Sequence, residues 1–140
     1  MSEANKTLVR RVYDDMWNKS DLSVPDTIYA PDVVNHELPP GMPEGIEGTK
    51  AYFGMFLSAF PDTQMTVEEQ IAEGDKVVTR WTARGTHTGE LMGIPPTGKQ
   101  VTVTGINVDR IAGGKIVEEW GEFDMMGMMQ QLGVVPTPGG

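Results

Sequence analysis

Four polar side chains, Arg80, His87, Asn107 and Glu119, interrupt runs in the second half of this 140-residue chain that otherwise read as simple β-strand. A polar group inside a sheet must be hydrogen-bonded, solvated or functional, because burying it unpaired costs on the order of 1–3 kcal/mol. Side chains alternate along a strand, so Asn107 lies on one face of its strand, and Glu119 and Gly121 share one face of the next. A carboxyl and an amide brought together in that way could move a proton and hold a developing oxyanion. The pattern predicts a sheet wrapped around a partly polar cavity.

The elements that would position these groups are legible from periodicity. Apolar pairs at Leu8/Val9, Val12/Tyr13 and Met16/Trp17 predict an amphipathic helix over Asn5–Asn18 with Asn5 as its N-cap. A short helical turn is expected from Pro25, and Asp32–His36 could form a small strand. The Pro- and Gly-rich stretch Leu38–Gly48 reads as an ordered loop, followed by a helix from about Thr49 to Phe60 that Pro61 stops.

From Thr63 the apolar period becomes two. One strand follows Met65, Val67 and Ile71, and Glu73-Gly74-Asp75 turns the chain into a second, Val77–His87. A wide loop over Thr88–Gln100 leads to Val101–Ile111, and Ala112-Gly113-Gly114-Lys115 makes a hairpin into Ile116–Glu122. The last helix is expected over Asp124–Leu132 with Gly133 as C-cap and Val134–Gly140 as a loosely held tail. Helices first and an antiparallel meander afterwards define an α+β class, one domain shaped as a cone around the helices.

Composition narrows the function classes. Lys+Arg 11 against Asp+Glu 20 leaves a net charge of −9, which argues against nucleic acid or an anionic membrane as partner. No apolar run approaches the roughly 20 residues of a membrane helix, and the first residues are too polar for a signal peptide, so a cytoplasmic protein is expected. Cysteine is absent, which removes thiolate and disulfide chemistry. Two histidines and scattered carboxylates show no metal-ligand spacing, so no metal site is expected.

The chain resembles the SnoaL-like polyketide cyclase (ester cyclase) family, of the nuclear-transport-factor-2-like fold group. The resemblance rests on Arg80-Trp81-Thr82, Arg84–Gly89, Gly93–Gly98, Gly114–Glu118 and Gln131-Leu132-Gly133, and in the N-terminal half on Trp17-Asn18, Ala30-Pro31-Asp32 and the helix over Gly48–Phe60. It implies a curved antiparallel sheet with helices in its concavity, and a homodimer or higher homo-oligomer. It also implies a metal-free, cofactor-free aldol ring closure in which a carboxylate is the general acid–base. The family's catalytic aspartate falls on Gly121, its assisting histidine on Asn107 and a glutamine on Gly105. These three changes argue against polyketide ring closure itself.

On the face so marked, Glu119 is the nearest carboxylate to the missing aspartate. Burial near Trp120 and the methionines should push its pKa up, as a general base near neutral pH requires, with Asn107 polarising a carbonyl. The alternative is a structural ion pair of Glu119 with Arg80 or Arg84. Asp124 is expected to cap the last helix, with a supporting catalytic role as the second possibility. A small hydrophobic ligand, flat and aromatic or terpenoid, would be lined by Tyr13, Trp17, Met55 and Phe56, with Arg80, Trp81 and Trp120 as further contacts. His36 is expected near the mouth, whereas His87 should bond backbone at a strand end. The leading expectation is a cofactor-independent acid–base enzyme acting on a hydrophobic carbonyl compound. A non-catalytic ligand-binding protein and an epoxide-hydrolase type of activity are the alternatives, the latter disfavoured because Thr82, not an aspartate, stands two positions after Arg80.

Overall fold

The computed structural model describes residues 2–135, so most of the tail expected to be loose, Pro136–Gly140, lies outside them. Helix α1 (Ser2–Arg11) runs on as a wider π-helical segment, Val12–Trp17, whose closing bond is donated by the Asn18 backbone N–H to the Tyr13 carbonyl at 3.0 Å. Asn5 is inside α1 rather than capping it, because the helix begins three residues earlier. Val12, Tyr13 and Met16 of this segment are buried together.

A short α2 (Pro25–Ile28) leads directly into β1 (Tyr29–Asn35). Helix α3 (Gly45–Ala59) starts four residues before its expected first residue. Glycine is a poor helix former, so Gly45 and Gly48 read as loop. Gly48, however, packs so closely on the Pro43 carbonyl that no side chain fits there, and the helix can begin early.

The meander follows as β2 (Gln64–Glu73), β3 (Lys76–Thr86), β4 (Gln100–Ala112) and β5 (Lys115–Phe123), and α4 (Met125–Leu132) ends the described chain. The β4–β5 hairpin turns on Gly113 and Gly114, both in the left-handed region at φ 59° and 73°, as a two-residue turn matched to strand twist demands.

The sheet order is β1-β5-β4-β3-β2. The sheet is antiparallel except at one edge: β1 joins β5 in parallel, with Val34 opposite Glu118 and Asn35 opposite Glu119. A wholly antiparallel sheet is therefore corrected to four antiparallel strands plus one parallel edge strand. The chain between β1 and β5 contains a helix and three strands, and that long crossover is what permits the parallel pairing. The two edge strands, β1 and β2, do not pair, so the cone is open.

Register decides which side chains meet. Trp81 stands opposite Gly105 and Thr79 opposite Asn107 across β3 and β4. Asn107 faces Gly121, and Asp109 faces Glu119, across β4 and β5. All of these share the face on which the helices pack. The core on that face combines Val9, Met16, Phe53, Leu57, Val77, Val103, Met128 and Leu132 with Tyr13 and Tyr29. Asn18 ties the end of the first helix to β2: its side-chain amide donates to the Met65 carbonyl at 3.0 Å and accepts from the Met65 N–H at 2.6 Å.

Candidate functional site

Between the helices and the sheet lies a cavity of about 100 Å³, lined by Tyr13, Trp17, Phe53, Phe56, Trp81, Asn107, Glu119 and neighbouring apolar side chains. A second space of about 360 Å³ is lined by His36, Pro39, Met55, Met92 and Met125, and both are bounded by Glu37, Tyr52, Phe56 and Phe123. The two spaces are the inner cavity and the outer chamber, and Glu37 lines both.

The floor of the inner cavity is a cluster of three carboxyls that sequence reasoning found only in part. Glu119 (2% exposed) and Asp109 (1% exposed) face each other across β4 and β5, and Glu37 enters from the turn after β1. The Tyr29 hydroxyl donates to Glu119 Oε1 at 2.7 Å. Glu119 Oε2 and Asp109 Oδ1 have no donor among the described residues. A buried carboxylate oxygen needs a donor, and a proton on one of the three acids would let Glu119 bond both Asp109 and Glu37.

Electrostatics agree with that reading. Burial, and then the charge of Asp109, pushes the Glu119 pKa well up. Burial lifts Asp109 to about 7. Glu37 rises to about 8, through burial first and the Glu119 charge second. Burial likewise keeps the Tyr13, Tyr29 and Tyr52 hydroxyls protonated, with the nearby carboxyls adding to the effect. Among the described residues no group of three or more His, Cys, Asp or Glu side chains is arranged to hold a metal ion.

Asn107 is fixed at both ends. The Trp81 indole N–H, which can only donate, reaches Asn107 Oδ1 at 2.9 Å, so the amide nitrogen must point the other way. That nitrogen donates to Glu37 Oε1 at 3.0 Å. The glycines on either side make room. A side chain at Gly105 would run into the Trp81 ring, and one at Gly121 would run into the Glu37 carboxyl. Glu37 is held from behind as well: its N–H donates to Asn35 Oδ1 at 2.9 Å, and the Asn35 amide donates to Thr49 Oγ1 at 3.3 Å inside the core.

Of the residues picked from sequence, Tyr13, Trp17, Phe56, Trp81, Asn107 and Glu119 come together around the inner cavity, and His36 and Met55 reach the outer chamber. Three do not. Arg80 lies on the opposite face of the sheet and pairs with Glu69 at 3.3 Å, because even positions of β3 point away from the helices. Trp120 alternates out of the site in the same way and stacks on His36, ring centroids 5.0 Å apart, so the burial of Glu119 owes nothing to it. Asp124 is exposed and caps α4, accepting from the Gly127 N–H at 2.8 Å.

Neither arginine pairs with Glu119; its partners are Tyr29 and the two acids. His87 is fully buried, and its Nδ1 accepts from the Thr97 backbone N–H at 3.2 Å, holding the wide loop. For Asp124, Asp124→Ala should cost about 1 kcal/mol in urea unfolding while Asp124→Asn keeps most of that stability, since asparagine caps equally well. A catalytic carboxylate would be lost in both variants.

Sequence reasoning missed Asp109, Tyr29 and Glu37. Asp109 had a signal, since it lies two residues beyond Asn107 on the same strand face. Glu37 had none: it sits in a turn, where no periodicity operates.

The open α+β cone thus carries an aromatic-walled cavity with a floor of buried carboxyls. The chain belongs to the SnoaL-like polyketide cyclase family, whose model matches residues 7–132. Among solved structures it is similar to TsrD from Streptomyces laurentii, at 28% identity over 96% of this chain and 98% of that one, with a TM-score of 0.88. AclR from Streptomyces galilaeus, provisionally assigned as a hydroxylase, shares 31% identity over 98% and 89% of the two chains, with a TM-score of 0.86. IdmH from Streptomyces antibioticus, provisionally assigned as a polyketide cyclase, shares 38% identity over 93% and 99%, with a TM-score of 0.79. No curated protein matches the chain significantly. Among the described residues no helix is long and apolar enough to cross a membrane.

Proposed function

We propose that the protein is an enzyme that needs no cofactor and performs acid–base chemistry on a small hydrophobic carbonyl compound held in the inner cavity. The observation that carries this reading is the grouping of three carboxyls, Glu37, Asp109 and Glu119, at the floor of an otherwise apolar cavity. Carboxyls whose pKa values are raised toward neutrality are matched to taking and returning a proton at physiological pH. Because the groups are coupled, that capacity belongs to the cluster rather than to Glu119 alone. Asn107 keeps a second amide hydrogen, without a partner among the described residues, for a ligand oxygen.

One feature weighs against the binding-only reading. The space that a side chain at position 121 would fill holds the Glu37 carboxyl, so a carboxyl is kept where the resemblance places the family's aspartate. An epoxide-hydrolase arrangement built on Arg80 finds no support, since that arginine faces away from the cavity.

Carbon-acid exchange tests the proposal without knowledge of the native substrate. In D2O the wild-type protein should exchange the α-protons of β-tetralone, a flat aromatic ketone, faster than buffer does, as followed by proton NMR. Glu119→Gln should slow that exchange by about tenfold or more. Tight binding of flat ketones with exchange no faster than buffer would instead favour the ligand-binding protein.

A further inference from the structure

We propose that Glu37 is the carboxyl that meets the bound molecule and exchanges the proton, with Glu119 and Asp109 acting behind it as positioning and proton-storing groups. This rests on the acid–base reading above and assigns its working atom.

The geometry separates the three acids by access. Asp109 borders neither chamber; Glu119 borders the inner one, and its Oε1 is taken by the Tyr29 hydroxyl. Glu37 alone borders both chambers. A molecule long enough to occupy both spaces places its middle atoms against that carboxyl. Such a ligand has a flat apolar part among Trp17, Phe53 and Trp81 and a second part reaching toward His36 and Met92. The substrate class inferred is therefore an elongated, two-part hydrophobic carbonyl compound whose reactive carbon lies near its centre.

Glu37 is also the best-aimed of the three. The Asn107 amide fixes Oε1 at 3.0 Å, and the Asn35 side chain fixes the backbone at 2.9 Å. Gly121 supplies the empty floor on which the carboxyl rests. In the step assigned here, a Glu37 carboxylate oxygen forms a bond to the α-hydrogen. The C–H electron pair becomes the enolate, the proton on Glu37 is exchanged with solvent through the Glu119–Asp109 pair, and a solvent-derived proton returns from Glu37 to carbon, restoring the ketone and the carboxylate. No outside oxidant or reductant enters.

Two measurements test this. Glu37→Gln should lower β-tetralone exchange at least about 100-fold with little change in ketone affinity. Glu119→Gln should retain more activity and shift the pH midpoint of exchange downward, because a like-charged neighbour is removed from Glu37. The double variant Glu37→Ala/Gly121→Asp returns a carboxylate to the same place from the strand and should recover part of the lost rate.

The second measurement needs no turnover. A nitrophenyl glycidyl ether offers an aromatic epoxide: the attacking carboxylate oxygen forms an ester bond to the epoxide carbon, the ring C–O bond breaks, and the released alkoxide takes a proton from the neighbouring carboxyl or water. Peptide mass spectrometry of the wild-type protein should place the ester on Glu37, with a labelling rate that climbs with pH.

Unchanged exchange in Glu37→Gln, or an ester on Glu119 and none on Glu37, overturns the assignment. If Glu37→Gln does not fold, the wild-type label decides. Wild-type protein that exchanges no ketone would sink the acid–base reading itself, and the position of the ester would still say whether Glu37 is the carboxyl a bound molecule touches.

Discussion

Gly105→Ala is expected to destabilise the protein by about 1–3 kcal/mol and to weaken ligand binding as well. The added methyl would overlap the six-membered ring of Trp81, which lies flat across the strand opposite. That ring is buried (9% exposed) with Phe123 at a centroid distance of 6.5 Å, so it can shift only into the inner cavity that it borders. Shifting it breaks the bond from its N–H to Asn107 Oδ1 and releases the amide that aims Glu37. Losing that bond adds about 1 kcal/mol to the steric cost. The measurements are the urea midpoint and the affinity for β-tetralone. A Gly105→Ala variant with wild-type values of both would mean that Trp81 is not the fixed wall described above.

Stability should fall as pH rises from mildly acidic to mildly alkaline values. Glu37 goes from an ordinary 4.5 to about 8 on folding and Asp109 from 3.8 to about 7, with Glu119 also raised, all chiefly by burial. Raised pKa values mean that the folded protein holds protons the unfolded chain has already released. The stabilisation is therefore complete below about pH 4 and is lost progressively up to about pH 8. Each proton so retained corresponds to a slope of about 1.4 kcal/mol per pH unit while it lasts.

Other carboxylates set the acid limit. His36 and then Arg110 hold Glu118 low, Thr86 holds Asp62 low, and Ser23 holds Asp21 low, so their contributions vanish as pH drops through their folded-state values. Maximum stability belongs between these limits, on the acidic side of neutrality. Urea midpoints measured from about pH 4 to about pH 9 should trace this decline, and Glu37→Gln should flatten its upper part. A profile that rises toward alkaline pH would mean that the three carboxyls are not buried together.

Local pattern carried much of the fold. The switch from a four-residue to a two-residue apolar repeat placed the helices and the four meander strands, because those periods follow from backbone geometry alone. The glycine turns at Gly113-Gly114 and Gly133 were equally legible, since they need conformations other residues resist. Alternation put Asn107, Glu119 and Gly121 on one face and, carried one step further, would have added Asp109. The same alternation places Arg80 and Trp120 on the other face, where their motif and aromatic character had suggested a cavity role.

What the chain order could not show was decided by contacts between distant segments. The parallel pairing of β1 with β5 joins residues more than 80 positions apart, and it brings Tyr29 under Glu119 and the turn carrying Glu37 over Gly121. Neither side of that meeting has a local signature: a glutamate in a turn is ordinarily a solvated charge, and a glycine in a strand is ordinarily a weak spot. Only when the sheet closes over both does the glycine become the seat of a carboxyl, and burial, a property of the folded state alone, raises its pKa toward neutrality.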